Sequence, residues 1–134
     1  MEWNFVKPLQ DDLLLTIFEA DYGVSIPADL KDTILKYNNG WPECNTFYLP
    51  DKEACSLKHL LSFHKEDKEN VWTYNKQENI AKGYVVFAND AFGNDIAFRI
   101  EDGAILFIDH DVEEILEIAL DFHTFLTQLE RSSE

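Results

Sequence analysis

The sequence has no long apolar run and few cysteines, and both absences limit what the chain can be. Its longest apolar runs, Tyr84–Ala88 and Ala104–Ile108, have five residues each, whereas a transmembrane helix needs about 20. The N-terminal segment carries an early acid and lacks the apolar core of a secretory signal. The two cysteines, Cys44 and Cys55, suit free thiols in a reducing compartment better than a disulfide framework. We therefore expect a soluble, cytoplasmic protein.

Basic residues are also scarce: 26 acids face 11 lysines and arginines, which gives a formal net charge of −15. Such a field opposes binding to nucleic-acid phosphates or to an anionic membrane, and it attracts a basic protein. The chain is nevertheless 46% hydrophobic and 13% aromatic, so its charge does not indicate disorder. Its 134 residues are typical of one domain, and we predict a single domain over residues 1–134.

The sequence lacks the motifs of the common catalytic and metal sites, among them H-E-x-x-H, C-x-x-C, G-x-S-x-G and the Walker A loop. The loop Asp90–Asp95 has the wrong spacing for an EF-hand calcium site, and Gly93 and Asn94 favour a hairpin turn instead. Asp109-His110-Asp111 has no third ligand at a fixed offset, so we interpret it as a cap before a helix. We predict no catalytic residue, metal or cofactor.

Two helices are predicted near the N-terminus. Leu9, Leu13, Leu14, Ile17 and Phe18 form one apolar stripe, and this helix should end before Gly23, which tolerates a left-handed backbone. A second helix should follow Pro27 and stop at Asn38-Asn39-Gly40.

Strands are predicted in the middle of the chain, and Lys65–Gln77 is predicted to be a loop with a short helix. The apolar residues in Cys55–Phe63 fit one helix face or a strand, and their alternation favours the strand. Five strands result: Thr46–Leu49, Cys55–Phe63, Tyr84–Ala88, Ile96–Ile100 and Ala104–Ile108, the last three forming a meander through an Asp102-Gly103 hairpin. A long amphipathic helix from Val112 to Leu129 should close the chain, and Ser132–Glu134 should fray. This is an α+β domain: an antiparallel or mixed sheet with helices packed on it.

Acidic residues are concentrated between Asn89 and Asp121, where ten acids accompany one base, Arg99. Within the predicted last helix, Glu113, Glu117 and Asp121 are spaced i, i+4, i+8 and should share one face. Like-charge pairs at this spacing cost about 0.2–0.5 kcal/mol each, so the row does not help folding. It is either a solvated face or a recognition face for a cationic protein.

Trp41-Pro42 follows the Asn-Gly stop and is either a packed corner or an exposed aromatic anchor for a partner. The candidate partner-binding residues are therefore Asp90, Asp95, Glu113, Glu117, Asp121 and Trp41.

Four segments together resemble the SUKH superfamily, the Smi1/Knr4-like domains. They are IFEADYGVSIPADLKDTILKYNNGWP, YVVFANDAFGNDIAFRI, GAILFIDHD and ALDFHTFLTQL, and they occur in the family's order from about Leu13 to Leu129. Two regions depart from the pattern. Asn39-Gly40-Trp41 stands where the family often has Asn-Gly-Gly, and Lys65–Lys82 matches nothing.

The resemblance implies an α+β fold and a non-enzymatic role. Many bacterial members are immunity proteins that bind and block toxins, frequently nucleases, whereas eukaryotic relatives act as scaffolds in cell-wall regulation. The first hypothesis is therefore a cytoplasmic immunity protein that neutralises a cognate toxin domain, with a basic nuclease as the expected partner. The alternatives are a protein-interaction or scaffold module and a small hydrolase with an unrecognised site.

Overall fold

The computed structural model describes residues 1–131 and shows the α+β architecture that the sequence predicts. Six strands form one antiparallel sheet in which each strand pairs with the next along the chain. They are β3 (Thr46–Tyr48), β4 (Ala54–Leu60), β5 (Tyr84–Asp90), β6 (Asp95–Arg99), β7 (Ile105–Asp109) and β8 (Glu114–Ala119). A separate pair, β1 (Trp3–Asn4) and β2 (Trp41–Pro42), joins the N-terminal segment to the chain that follows the second helix.

The two N-terminal helices are confirmed as α1 (Leu13–Tyr22) and α2 (Ala28–Tyr37). Gly23 ends α1 with the expected left-handed backbone, at φ 67°. After α2, Asn39 adopts φ 67°, in agreement with the predicted stop. Within residues 1–131, no helix combines the length and apolar character that crossing a bilayer requires.

The central strands are also confirmed. The ambiguous segment Cys55–Phe63 overlaps β4, and Tyr84–Ala88 lies within β5, whose residues are buried except for the partly exposed Tyr84. Strands β5, β6 and β7 form the predicted meander. The region from Lys65 onward contains two short helices, α3 (Val71–Tyr74) and α4 (Gln77–Ala81).

The long C-terminal helix is a wrong prediction. Glu114–Ala119 forms the sixth strand, β8, and the helix α5 is confined to Phe122–Gln128. Residues 110–113 form the turn between β7 and β8, so Asp109-His110-Asp111 is a hairpin connection and not a helix cap. The predicted fraying of Ser132–Glu134 lies outside the described residues.

The core fills the space between the sheet and the helices with aromatic rings. Phe122 and Phe125 of α5 make edge contacts with Phe87 of β5 and Phe47 of β3, at ring-centroid distances of 5.7 and 5.5 Å. On the other elements, Phe18 of α1 packs against Phe63 and Trp72. Such ring pairs contribute about 0.5–1.5 kcal/mol each beyond the area they bury.

The two edges of the sheet differ in what covers them. At the β3 side, Thr46 and Glu130 exchange two backbone hydrogen bonds of 2.9 Å, and the Tyr48 hydroxyl donates to the Glu130 carboxylate at 3.2 Å. The C-terminal part of the chain therefore covers this edge. At the opposite side, β8 pairs with β7 alone.

Candidate partner-binding surface

Three hairpin turns lie at one end of the sheet. Because the strands are antiparallel and paired in chain order, the β3–β4, β5–β6 and β7–β8 connections must all lie at the same end. The connections are residues 49–53, 91–94 and 110–113. A groove of about 260 Å³ passes between them and is bordered by Leu49, Phe92 and Phe107 together with several carboxylates.

Seven acidic residues lie in these turns or at the strand ends beside them. We call the resulting surface the acidic end; its acids are Asp51, Glu53, Asp90, Asp95, Asp109, Asp111 and Glu113. Lys52 and His110 lie in the same turns, and His110 Nε2 is 2.7 Å from the Asp95 carboxylate. The sequence does not indicate that Asp51 and Glu53 of the β3–β4 turn belong to this surface, because nothing in their spacing relates them to the turns that follow about 40 or more positions later.

Phe92 projects from the middle of the acidic end with 80% of its surface exposed. The turn that carries it is organised by Asp90, which is only 4% exposed. The Asp90 carboxylate accepts hydrogen bonds from the backbone N–H groups of Phe92 and Asn94, both at 2.8 Å, and from the Asn94 side chain at 3.2 Å. The hairpin turn that the sequence predicts is therefore confirmed; the buried Asp90 shapes it, and Phe92 is the side chain it presents.

The negative field of the acidic end acts on a neighbouring thiol. Burial raises the pKa of Cys55 to about 11, and the charges of Glu53, Asp90, Asp51 and Asp109 add to the effect. The pKa of the Asp95 carboxyl is raised by burial, although the hydrogen bond with His110 opposes the change. Both shifts have the sign expected where anionic groups are crowded and partly desolvated.

The predicted row of Glu113, Glu117 and Asp121 does not exist, because these residues do not share a helix. Glu113 lies in the β7–β8 turn with φ 53°. Glu117 lies on β8 and forms an ion pair with Arg99. Asp121 is the N-cap of α5, where its carboxylate accepts a hydrogen bond from Thr124 N–H at 2.7 Å. Of the three, only Glu113 belongs to the acidic end.

Trp41 lies outside the acidic end and is half-buried. Its ring stacks on His59 at a centroid distance of 5.0 Å, Phe5 meets it edge-on at 5.6 Å, and Lys58 Nζ lies 5.7 Å from its centroid. These contacts favour the packed-corner interpretation. Beside Trp41, a groove of about 400 Å³ is bordered by Lys7, Lys58, Lys68, Asp67 and Glu69.

The polar cluster beneath Trp41 was not visible in the sequence. Glu69 accepts hydrogen bonds from Lys58 at 3.0 Å and from the Tyr74 hydroxyl at 2.9 Å, and it lies 2.7 Å from His59 Nε2. Burial alone would raise the pKa of Glu69, but these partners outweigh it and lower the pKa to about 2. The partners of Glu69 all come from the fold, so we interpret this carboxylate as structural. Asn89 also donates to Glu69, at 3.0 Å, but its own buried Oδ1 has no hydrogen-bond partner within residues 1–131. Within residues 1–131, no three His, Cys, Asp or Glu side chains are grouped so that they could hold a metal ion.

Comparison with known protein families shows a match. Residues 11–128 match the SMI1 / KNR4 family (SUKH-1). The match covers most of the chain and includes both N-terminal helices, the whole six-stranded sheet and α5. The protein therefore belongs to the SMI1/KNR4 family, as its resemblance to the SUKH superfamily suggests. A search of the curated proteins finds no match.

Proposed function

We propose that this protein is an immunity protein that binds and neutralises a cognate toxin domain through the acidic end. Membership of the SMI1/KNR4 family, whose members are generally non-catalytic, supports a binding role. The observation that carries the choice of surface is the convergence of three acidic turns around the exposed ring of Phe92.

The charge of this surface fits a basic nuclease as the partner. A nuclease has to attract phosphates, so the face that binds its substrate is positively charged. An acidic protein gains association rate from that charge and competes for the same face. Phe92 supplies what charge alone lacks, because apolar aromatic side chains at the centre of an interface exclude water and slow dissociation.

The test compares two triple variants that change the net charge equally. Asp51→Asn/Glu53→Gln/Asp111→Asn removes three exposed charges from the acidic end and preserves the side-chain shapes. Asp12→Asn/Glu66→Gln/Glu101→Gln removes three exposed charges elsewhere. The genes on either side are first searched for a candidate toxin domain. Its association with the protein is then measured at several salt concentrations, together with survival of cells that express it.

We expect the acidic-end variant to reduce the association rate constant by about 3–10-fold and to flatten its salt dependence, while the control changes this constant by less than about twofold. Phe92→Ser should increase the dissociation rate constant by about tenfold or more. Equal effects from both triple variants would show that only net charge matters and would reject the acidic end as the binding surface. Absence of protection by the wild-type chain would reject the immunity role and favour the scaffold alternative.

A further inference from the structure

Strand β8 leaves an open edge on the sheet. It pairs with β7 on one side, and within residues 1–131 no backbone or side-chain group hydrogen-bonds to its other side. The opposite edge of the sheet is treated differently, because Glu130 pairs with Thr46 there. An open row of N–H and C=O groups is a template for one more strand.

The register identifies the groups that point outward. Arg99 N–H donates to Ala104 C=O at 2.8 Å, and antiparallel pairing alternates from residue to residue. Ala104 therefore faces β6, and the backbone groups of Ile105 and Phe107 face β8, where they pair with Ala119 and Leu116. It follows that the backbone groups of Ile115 and Glu117 point away from β7. They are the groups an added strand would bond first.

The side chains along this edge suit an extended partner. Ile115 is 48% exposed and borders a groove of about 420 Å³ with Tyr84 and Ile108. Val112 and Leu120, at the two ends of the strand, are also exposed. Glu114–Ala119 contains no lysine, proline or glycine, and lysine and proline are among the residues that commonly protect open edges from pairing.

The charge along the β8 edge indicates which kind of strand could pair with it. Glu113, Glu114 and Glu117 lie on or beside this edge, and Glu117 is paired with Arg99. The groove is bordered by Glu78 and Asp109 and also by Lys82 and His110, so carboxylates outnumber basic side chains here. A second copy of this chain would bring the same carboxylates against them, and like charges on paired strands are destabilising. A strand that carries lysine or arginine would instead be attracted.

We infer that β8 binds an extended basic segment of a partner protein by adding it to the sheet as a seventh, antiparallel strand. Backbone hydrogen bonds to Ile115 and Glu117 provide affinity, and the acids with the Ile115 groove provide preference for alternating basic and apolar side chains. The inference rests on the proposed function for the identity of the partner as a toxin domain. The binding itself is measurable without a toxin.

The experiment is an NMR titration of the ¹⁵N-labelled chain with two synthetic peptides of equal length, Lys-Val-Lys-Val-Lys-Val and Glu-Val-Glu-Val-Glu-Val, both blocked at their ends. We expect the lysine peptide to shift the amide signals of Ile115, Glu117 and their neighbours in a saturable way, and the glutamate peptide to leave them unchanged. Ile115→Pro removes an outward N–H without removing a β7–β8 bond and should weaken binding at least about tenfold. Ile115→Val, which keeps that N–H, should bind within about twofold of the wild type.

Ile115→Lys provides a second test that does not depend on tolerance of proline, because a lysine at this edge repels the basic peptide. It should weaken binding about fivefold or more. Three results would overturn the inference: no shifts at about 5 mM peptide, shifts confined to the acidic end, or concentration-dependent pairing of β8 with a second copy. If Ile115→Lys protects cells from the toxin as well as the wild type does, the edge is not the toxin's site although the proposed function stands. If the peptide binds the edge but the chain gives no protection, the proposed function fails and the edge site stands.

Discussion

At the scale of the residue, one asparagine side chain takes the place of a strand. Strand β4 pairs with β5 only as far as Leu60 and Ala88, so the first part of β5 has no neighbouring strand on that side. The Asn75 side chain fills the gap: its Oδ1 accepts from Val86 N–H and its Nδ2 donates to Val86 C=O, both at 2.8 Å. Asn79 continues the contact by donating to Tyr84 C=O at 2.9 Å. The asparagines therefore satisfy buried backbone groups that would otherwise lack partners.

Asn75→Ala should destabilise the protein by about 2–4 kcal/mol, because it leaves the buried N–H and C=O of Val86 without partners. The measurement is urea unfolding followed by circular dichroism. Asn4→Ala, at an exposed position in β1, is the control and should change the free energy of unfolding by less than about 0.5 kcal/mol. A loss below about 1 kcal/mol at Asn75 would mean that water replaces the amide.

At the scale of the element, helix ends and strands that depend on local conformational preferences are predicted correctly from the sequence. The prediction fails where apolar residues fit both helical and strand spacing. The Gly23 stop, the Asn39 stop and the three-strand meander follow from local conformational preferences and alternation. The C-terminal segment fails because Val112, Ile115, Leu116, Ala119 and Phe122 have helical spacing although they belong to a turn, a strand and a helix. The β-branched Ile115 and Ile118 and the capping residue Asp121 were the signals for the correct division.

Asp121 contributes to folding as the cap of α5. Its pKa is held below the usual value by the hydrogen bonds with Thr124. Asp121→Ala should lower the melting temperature, whereas Asp121→Asn, which retains an acceptor oxygen, should lower it by less than half as much. Thermal melts of both variants at neutral pH check the expectation. Equal melting temperatures for the two variants would show that the cap does not stabilise α5.

At the scale of the whole molecule, the acidic end exists because of topology. The acids of the β5–β6 and β7–β8 turns follow from the predicted meander, but those of the β3–β4 turn join them only because β4 pairs with β5. That pairing is a long-range contact, and no residue spacing in the sequence reveals it. For the same reason the cluster around Glu69 could not be predicted, since it joins β4 to a segment that matches no motif.

The combined field can be measured without a partner by using Cys55 as a probe. In a Cys44→Ala background, Asp51→Asn/Glu53→Gln should lower the pKa of Cys55 from about 11, because it removes two anions that disfavour the thiolate. The pKa should stay above the ordinary value of 9.0, since burial is the largest cause of the shift. The rate of thiol alkylation as a function of pH reports the change. Glu66→Gln/Glu101→Gln serves as the control, and an equal shift there would contradict a local field.

The pairing of Thr46 with Glu130 has a consequence for the chain while it is being made. Tyr48 and Glu130 are 82 positions apart, so the ribosome completes β3 long before it makes the residue that covers it. At about 5–20 residues per second, the delay is roughly 4–16 seconds. During that interval the nascent sheet has an unprotected edge at β3, and synthesis of the last described residues closes it. The β3 edge therefore stays open to pairing with other chains until the residues around Glu130 have been made.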